Sequence, residues 1–276
     1  MISPQHPQPL TCLALYVIFM LHLYIPNTIA QPAFQTFATS ETGSSGSTTL
    51  DAKPSGLAEG DLLLAFACYE SGNSQTVTSP AGWDLIEKTD EGSNIGLTSF
   101  YKIADANDVN SSTFSFILSE DKKWSLAVVR ISDADGMNPI NTHSSRTGAG
   151  GNTKTWSVNT TEDSCLVLAI YGNKKDATYK GAFNEEYEIE HEEGQIASQM
   201  LESFIQESAG ATGNTQAKPS NKDSYVAQQI AIRKSSATLL NNFRSLASGN
   251  FDENNCWERE QSDGTWLSPS NSPPSM

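Results

Sequence analysis

From Gln31 to about Arg233 the chain alternates between apolar stretches of strand length and polar turns. Residues 62–69 (LLLAFACY) and 165–171 (CLVLAIY) are continuous apolar runs, the pattern of strands buried on both faces. Residues 83–88 alternate apolar and polar positions, as a half-buried strand does. Residues 97–103, 112–118, 124–131, 155–158 and 225–232 are of strand length and rich in aromatic and β-branched side chains. Between them stand turn-forming groups: Glu59-Gly60-Asp61, Ser79-Pro80-Ala81-Gly82, Asp133 to Pro139, and Gly148-Ala149-Gly150-Gly151. Regular short strands with turns between them predict an antiparallel two-sheet sandwich, jelly-roll-like, rather than an α/β fold.

One stretch conflicts with that pattern. Ile196, Met200 and Phe204, and beside them Leu201 and Ile205, fall at helical spacing, so periodicity alone predicts a helix there. After Ser235 the composition shifts to Asn, Ser and Pro, which marks residues 235–245 as a linker and 246–276 as an incomplete unit or disordered tail. The sandwich is thereby expected over residues 31–234. Residues 1–30 carry no Lys, Arg, Asp or Glu, contain the apolar run 13–21, and end in Asn27-Thr28-Ile29-Ala30, the outline of a secretory signal peptide cleaved after Ala30. A membrane anchor is the other reading. The run is closed by Pro26 and Asn27, short of the roughly 20 apolar residues a span needs.

Charge narrows the partners. The formal net charge is −15, and loss of the leader would remove no charged side chain. Such a surface repels phosphate backbones and anionic lipid, so nucleic acid is not an expected partner and a membrane is met only through the signal peptide. Apolar residues make up 37% of the chain, which suits strands joined by polar turns better than a helical bundle.

Candidate chemistry is sparse, and no cofactor is called for. Beyond the leader stand Cys68, Cys165 and Cys256, too widely spaced for a CxxC metal site. Cys68 and Cys165 lie in apolar runs, where they act either as buried thiols or as a disulfide joining two strands. A hydrolytic triad needs a histidine. His143 is expected in a Ser/Thr-rich loop and His191 inside an acidic run, with no GxSxG phrase before either. His191-Glu192-Glu193-Gly194 lacks the second His of a zinc-protease helix. Glu186, Glu188, Glu190 and Glu192 would share one strand face, as a solvated edge or, less simply, as a cation site at Glu188 and Glu190 or a glycosidase carboxylate pair. Asp133, Asp135 and Gly136 begin like a calcium loop, but no Glu closes the frame and turn chemistry accounts for them better. Of the tryptophans, Trp83 and Trp124 sit in apolar patterns and belong to a core. Trp156, between Thr155 and Ser157, is the candidate for an exposed ligand contact.

Several phrases together resemble a family of bacterial and phage-associated extracellular β-sandwich domains. They are 53–65 (KPSGLAEGDLLLA), 80–85 (PAGWDL), 101–104 (YKIA), 163–169 (DSCLVLA), 209–213 (AGATG) and 229–232 (QIAI), in an order covering residues 33–233. The resemblance implies a strand over residues 196–205 and a role in surface display, adhesion or glycan contact. The tail, with Ser248-Gly249-Asn250-Phe251 before Trp257 and Trp266, resembles the opening of repeat-bearing domains in large secreted proteins of Bacteroidetes-type bacteria, which implies a chain belonging to a larger architecture. The expectation is a non-catalytic secreted or cell-surface module that binds an extracellular glycan or surface polymer. A structural spacer is the first alternative, and a carbohydrate-active enzyme the second.

Overall fold

The computed structural model describes residues 30–43, 45–190 and 197–235, with the strand residues 243–245, 257–260 and 266–267. The leader up to Ile29, His191, Glu192, Ile196, Cys256 and most of the tail lie outside the described residues. The described chain is an all-β antiparallel sandwich. Its first half runs β1 (Ala33–Glu41), β2 (Ser47–Ala52), β3 (Leu62–Glu70), β4 (Val77–Thr78), β5 (Asp84–Glu91), β6 (Ile95–Ile103), the short helix α1 (Ala106–Asn110), β7 (Phe114–Lys122) and β8 (Trp124–Ser132). The second half runs β9 (Ile140–Ala149), β10 (Thr153–Lys154), β11 (Asn159–Thr160), β12 (Cys165–Asn173), β13 (Tyr179–Lys180), β14 (Asn184–Ile189), β15 (Ser198–Gln206), β16 (Gly210–Ala211), β17 (Gln216–Pro219) and β18 (Ser224–Ile232). Three short strands, β19 (Phe243–Ser245), β20 (Trp257–Glu260) and β21 (Trp266–Leu267), form a separate sheet.

The second half repeats the topology of the first. One five-stranded sheet has the order β1-β8-β3-β6-β5, and the other β9-β18-β12-β15-β14, each strand standing where its counterpart does. A three-stranded sheet β2-β7-β4 covers the outside of the first, and β10-β17-β13 covers the outside of the second. The molecule is therefore two pseudo-equivalent units, each five strands on three, with their larger sheets face to face in the middle. Edge strand β5 lies by β9 and edge strand β1 by β14, the arrangement a pseudo-twofold axis produces.

That layering explains the sequence runs. Leu62, Leu64, Phe66 and Cys68 face the central core together with Leu166, Leu168 and Ile170, while Leu63, Ala65, Ala67 and Tyr69 face the outer layer of the first unit. A strand with apolar contacts on both faces has no reason to alternate. In that outer layer Trp83 meets the Phe114 and Phe116 rings edge-on, with centroids 5.5 and 5.3 Å away. Gly82, at φ 82°, makes the turn that delivers Trp83 to that core. Trp124 is fully buried and donates its Nε1–H to Ser47 O at 2.9 Å. The Gly60-Asp61 phrase is an anchor. Asp61 Oδ2 accepts from Ala58 N (2.7 Å) and from Arg130 Nε (2.6 Å), tying the loop before β3 to β8.

Over residues 198–205 the strand implied by the resemblance holds and the helix read from periodicity does not, and one further expectation, the disulfide, needs correction. The helical spacing of Met200 with Phe204 and of Leu201 with Ile205 belongs to a strand, β15. Residues four apart share a strand face as well as a helix face. Met200 and Phe204 pack outward and Leu201 and Ile205 inward, so the spacing does not discriminate when both faces are buried. A disulfide between Cys68 and Cys165 is excluded, because both are free, buried thiols. Cys68 packs on Gly172, seven residues along β12 from Cys165, or about 23 Å of strand.

The close approach at Gly172 is a sharp constraint, since a Cβ there would lie 2.6 Å from Cys68 Sγ and 2.9 Å from Val226 Cγ2. Gly172→Ala is expected to destabilise the protein by about 1–3 kcal/mol in urea unfolding. Cys68→Ala in the same chain is expected to recover part of that loss; a strictly additive double variant would contradict the packing.

Candidate functional site

Trp156 follows β10 and is 50% exposed. Its backbone is held on both sides. Trp156 O accepts from Ser144 Oγ at 2.8 Å, Thr155 N donates to Thr215 O at 3.0 Å, and Ser157 N donates to Asn214 Oδ1 at 2.8 Å. The Arg146 guanidinium of edge strand β9 lies over the indole, 4.0 Å from the ring centroid. This produces a flat aromatic surface fixed in place, with a cation stacked on one side, which suits a planar or ring-shaped apolar ligand face. Trp83 and Trp124 are buried in the first unit.

Beneath Trp156 runs a buried polar chain. Gln229 Nε2 donates to Thr155 Oγ1 (3.2 Å), Thr155 Oγ1 meets Thr215 Oγ1 (2.8 Å), Thr215 Oγ1 meets Tyr171 Oη (2.6 Å), and Tyr171 Oη donates to Glu202 Oε1 (2.6 Å). Glu202 Oε2 then accepts from the backbone N–H groups of Ala182 (2.9 Å) and Phe183 (3.1 Å). The chain thus ties the Trp156 segment to the segment bearing Phe183, an exposed ring stacked on Phe204 at 4.3 Å. Gln229, Ala169 and Glu202 are cross-strand neighbours in one row of the second large sheet. The same row of the first unit reads Val128, Ala65 and Phe100. One unit is apolar where the other buries an amide and a carboxyl, an arrangement that violates the simplest packing rule and is found where a surface must be held in shape. Glu202 and Gln229 escaped sequence reading because doubly buried strands hide which polar residues face inward.

The remaining candidates fall in separate places, Asp133 with Asp135 in one turn and Glu188 with Glu190 on one edge. Asp133 and Asp135 are in the turn between β8 and β9. Asp133 Oδ2 accepts from Ser132 Oγ, and Asp135 Oδ1 accepts from the backbone N–H groups of Met137 and Asn138. Glu188, on edge strand β14, accepts from Tyr179 N at 3.0 Å and shares a hydrogen bond with Glu190. Glu186 takes the Ser203 hydroxyl. Among the described residues no group of three or more His, Cys, Asp or Glu side chains is placed to hold a metal ion. His143 Nδ1 lies 2.8 Å from Glu87 Oε2, and Ser145 Oγ donates to the other oxygen of the same carboxylate. The serine and the histidine are both ligands of Glu87, which joins β5 of one unit to β9 of the other. A nucleophilic serine would instead need its hydroxyl on the imidazole.

Desolvation pushes the Glu188 carboxyl up to about 7, against the pull of the Tyr179 N–H, and the hydrogen bond that its protonated form donates to Glu190 and the charges of Glu185 and Glu190 add to the rise. The folded protein therefore holds a proton that the unfolded chain releases, and stability falls as pH rises from about 4.5 to about 7. Glu188→Gln is expected to flatten the dependence of melting temperature on pH across that window and to melt above the parent at pH above 7; an unchanged profile would contradict the pairing. Glu202→Leu leaves two buried N–H groups without an acceptor and removes one of the two hydrogen-bond partners of the Tyr171 phenol, and is expected to cost about 3 kcal/mol or more. Glu202→Gln is expected to cost roughly 1 kcal/mol, because the amide oxygen still accepts from both N–H groups and its NH2 donates to Tyr171. Denaturant titration of the two variants separates them.

No family model, curated protein or solved structure matches the chain.

Proposed function

We propose that this protein is a non-catalytic secreted or cell-surface module of adhesive type, and that it binds an extracellular glycan through the surface around Trp156. The observation carrying the reading is the half-exposed indole whose backbone is fastened on both sides and whose one face is stacked by Arg146. A rigid aromatic plane contributes contact area with little ordering cost, which is how sugar rings are commonly met. Export is supported by the uncharged apolar segment at the N-terminus. The resemblance to extracellular sandwich domains, carried by phrases such as residues 60–65 and 80–85, points the same way.

A catalytic reading finds less support in the side chains. Glu188 and Glu190 are hydrogen-bonded to each other, whereas glycoside hydrolysis needs carboxyl groups about 5 Å or more apart with the sugar bond between them. A spacer would leave Trp156 without a task and would show no ligand preference.

On a glycan array the full chain is expected to retain a defined set of sugars, and Trp156→Ala to bind them about tenfold more weakly or worse with an unchanged melting temperature. Equal retention by the parent and the Trp156→Ala variant would remove the indole from the site, and retention of no glycan would favour the spacer.

A further inference from the structure

The outer layer of the second unit has an unusual charge for this chain. Strand β17 presents Gln216 and Lys218 outward between buried Thr215, Ala217 and Pro219. Beside it β10 presents Lys154 and β13 presents Lys180, each next to a buried residue, Thr153 and Tyr179. Lys154 is the cross-strand partner of Gln216, and Lys218 that of Lys180. Two ammonium groups directly opposed on adjacent strands repel each other. Among the described residues none of Lys154, Lys180 and Lys218 is paired with a carboxylate. On the far side of β13, Glu188 accepts from Tyr179 N, and the upward shift of its carboxyl by burial keeps part of its negative charge off this layer near neutral pH.

The row continues to the aromatic surface. Trp156 lies two residues beyond Lys154, about 7 Å along the same outward face, and Asn214 lies two residues before Gln216. The face therefore reads Trp156 and Asn214, then Lys154 and Gln216, then Lys218 and Lys180, with Arg146 stacked at the Trp156 end. The pseudo-equivalent sheet of the first unit carries Thr49, Asp51, Thr78, Ser115 and Ile117 in exposed positions, and the one lysine of its strands, Lys122 at the end of β7, is paired with Glu120. Three lysines gathered on one small sheet, in a chain with 17 basic and 32 acidic residues, are a local feature of one unit, not of the fold.

We infer that the outward face of β10-β17-β13 binds a carboxylate-bearing polysaccharide, its sugar ring against Trp156 and its acidic groups against Lys154, Lys180 and Lys218. This rests on the proposed glycan-binding reading and adds the ligand class to it. Lysine is a flexible point charge that can follow acidic groups spaced along a flexible polymer, without the fixed fork geometry that an arginine imposes. The face is about 10 Å across three strands, and the rest of the molecule is strongly negative. A rigid duplex would meet that negative surface, and a single flexible chain need not.

The test measures binding of the full chain to polygalacturonate, neutral laminarin, heparin and single-stranded DNA by calorimetry, at low and high salt. Polygalacturonate is expected to bind best and to be weakened by salt. The triple variant Lys154→Gln, Lys180→Gln, Lys218→Gln is expected to lose roughly tenfold or more in affinity, with melting unchanged or raised, and the corresponding Lys→Arg triple to keep most of it. Laminarin bound as tightly as polygalacturonate, by parent and triple Gln variant alike, would overturn the lysine face while leaving Trp156 as the glycan site. Loss in the triple Gln variant with none in Trp156→Ala would uphold the lysine face and remove the indole. Preference for heparin or DNA over polygalacturonate overturns the carboxylate assignment, and binding of none of the four overturns both readings.

Discussion

The structure depends on the burial of both faces of two five-stranded sheets. Their inner faces meet through Leu62, Leu64, Phe66 and Cys68 on one side and Leu166, Leu168, Ile170 and Gly172 on the other. Neither sheet could stand with its outer face open, because Leu63, Ala65, Tyr69, Phe100, Trp124 and Val128 would then present an apolar surface to water. Each unit therefore carries its own three-stranded cover, and the two covers are where the units are free to differ. In the first, aromatic packing fills the space. In the second, Tyr171, Thr155, Thr215, Gln229 and Glu202 fill it with hydrogen bonds.

This division gives the proposed function a physical basis. Apolar packing under a cover sheet tolerates small shifts, whereas a chain of hydrogen bonds fixes donors to acceptors one by one. The segments fixed in this way are those that hold Trp156 and Phe183 at the surface. The seam between units also has two characters. At one edge Glu87 receives His143 and Ser145. At the opposite edge Phe37 packs on Tyr187, with ring centroids 5.6 Å apart.

Much of the fold was legible in the sequence. The turn groups around Gly60, Gly82 and Gly150 separate the strands, and the runs containing Cys68 and Cys165 are the central strands of the two large sheets. The burial of Trp83 and Trp124 and the exposure of Trp156 also follow from their neighbours. What was not legible has a common cause. When both faces of a strand are covered, periodicity vanishes, so β15 imitated a helix and the inward Glu202 and Gln229 went unnoticed. The repeat of topology was hidden as well. Leu62, Leu64 and Ala65 match Leu166, Leu168 and Ala169, but Phe100 corresponds to Glu202 and Val128 to Gln229, so few residues repeat. The lysine face needed strand pairing to be seen, since Lys154, Lys180 and Lys218 are far apart in the chain.

Amide hydrogen exchange read by mass spectrometry tests most directly whether the two units share one core. Peptides from β3 and β8 and those from β12 and β18 should exchange at one common, slowest rate, through global unfolding. Separate slow rates for the two pairs of strands, with one unit opening while the other stays protected, would contradict the account.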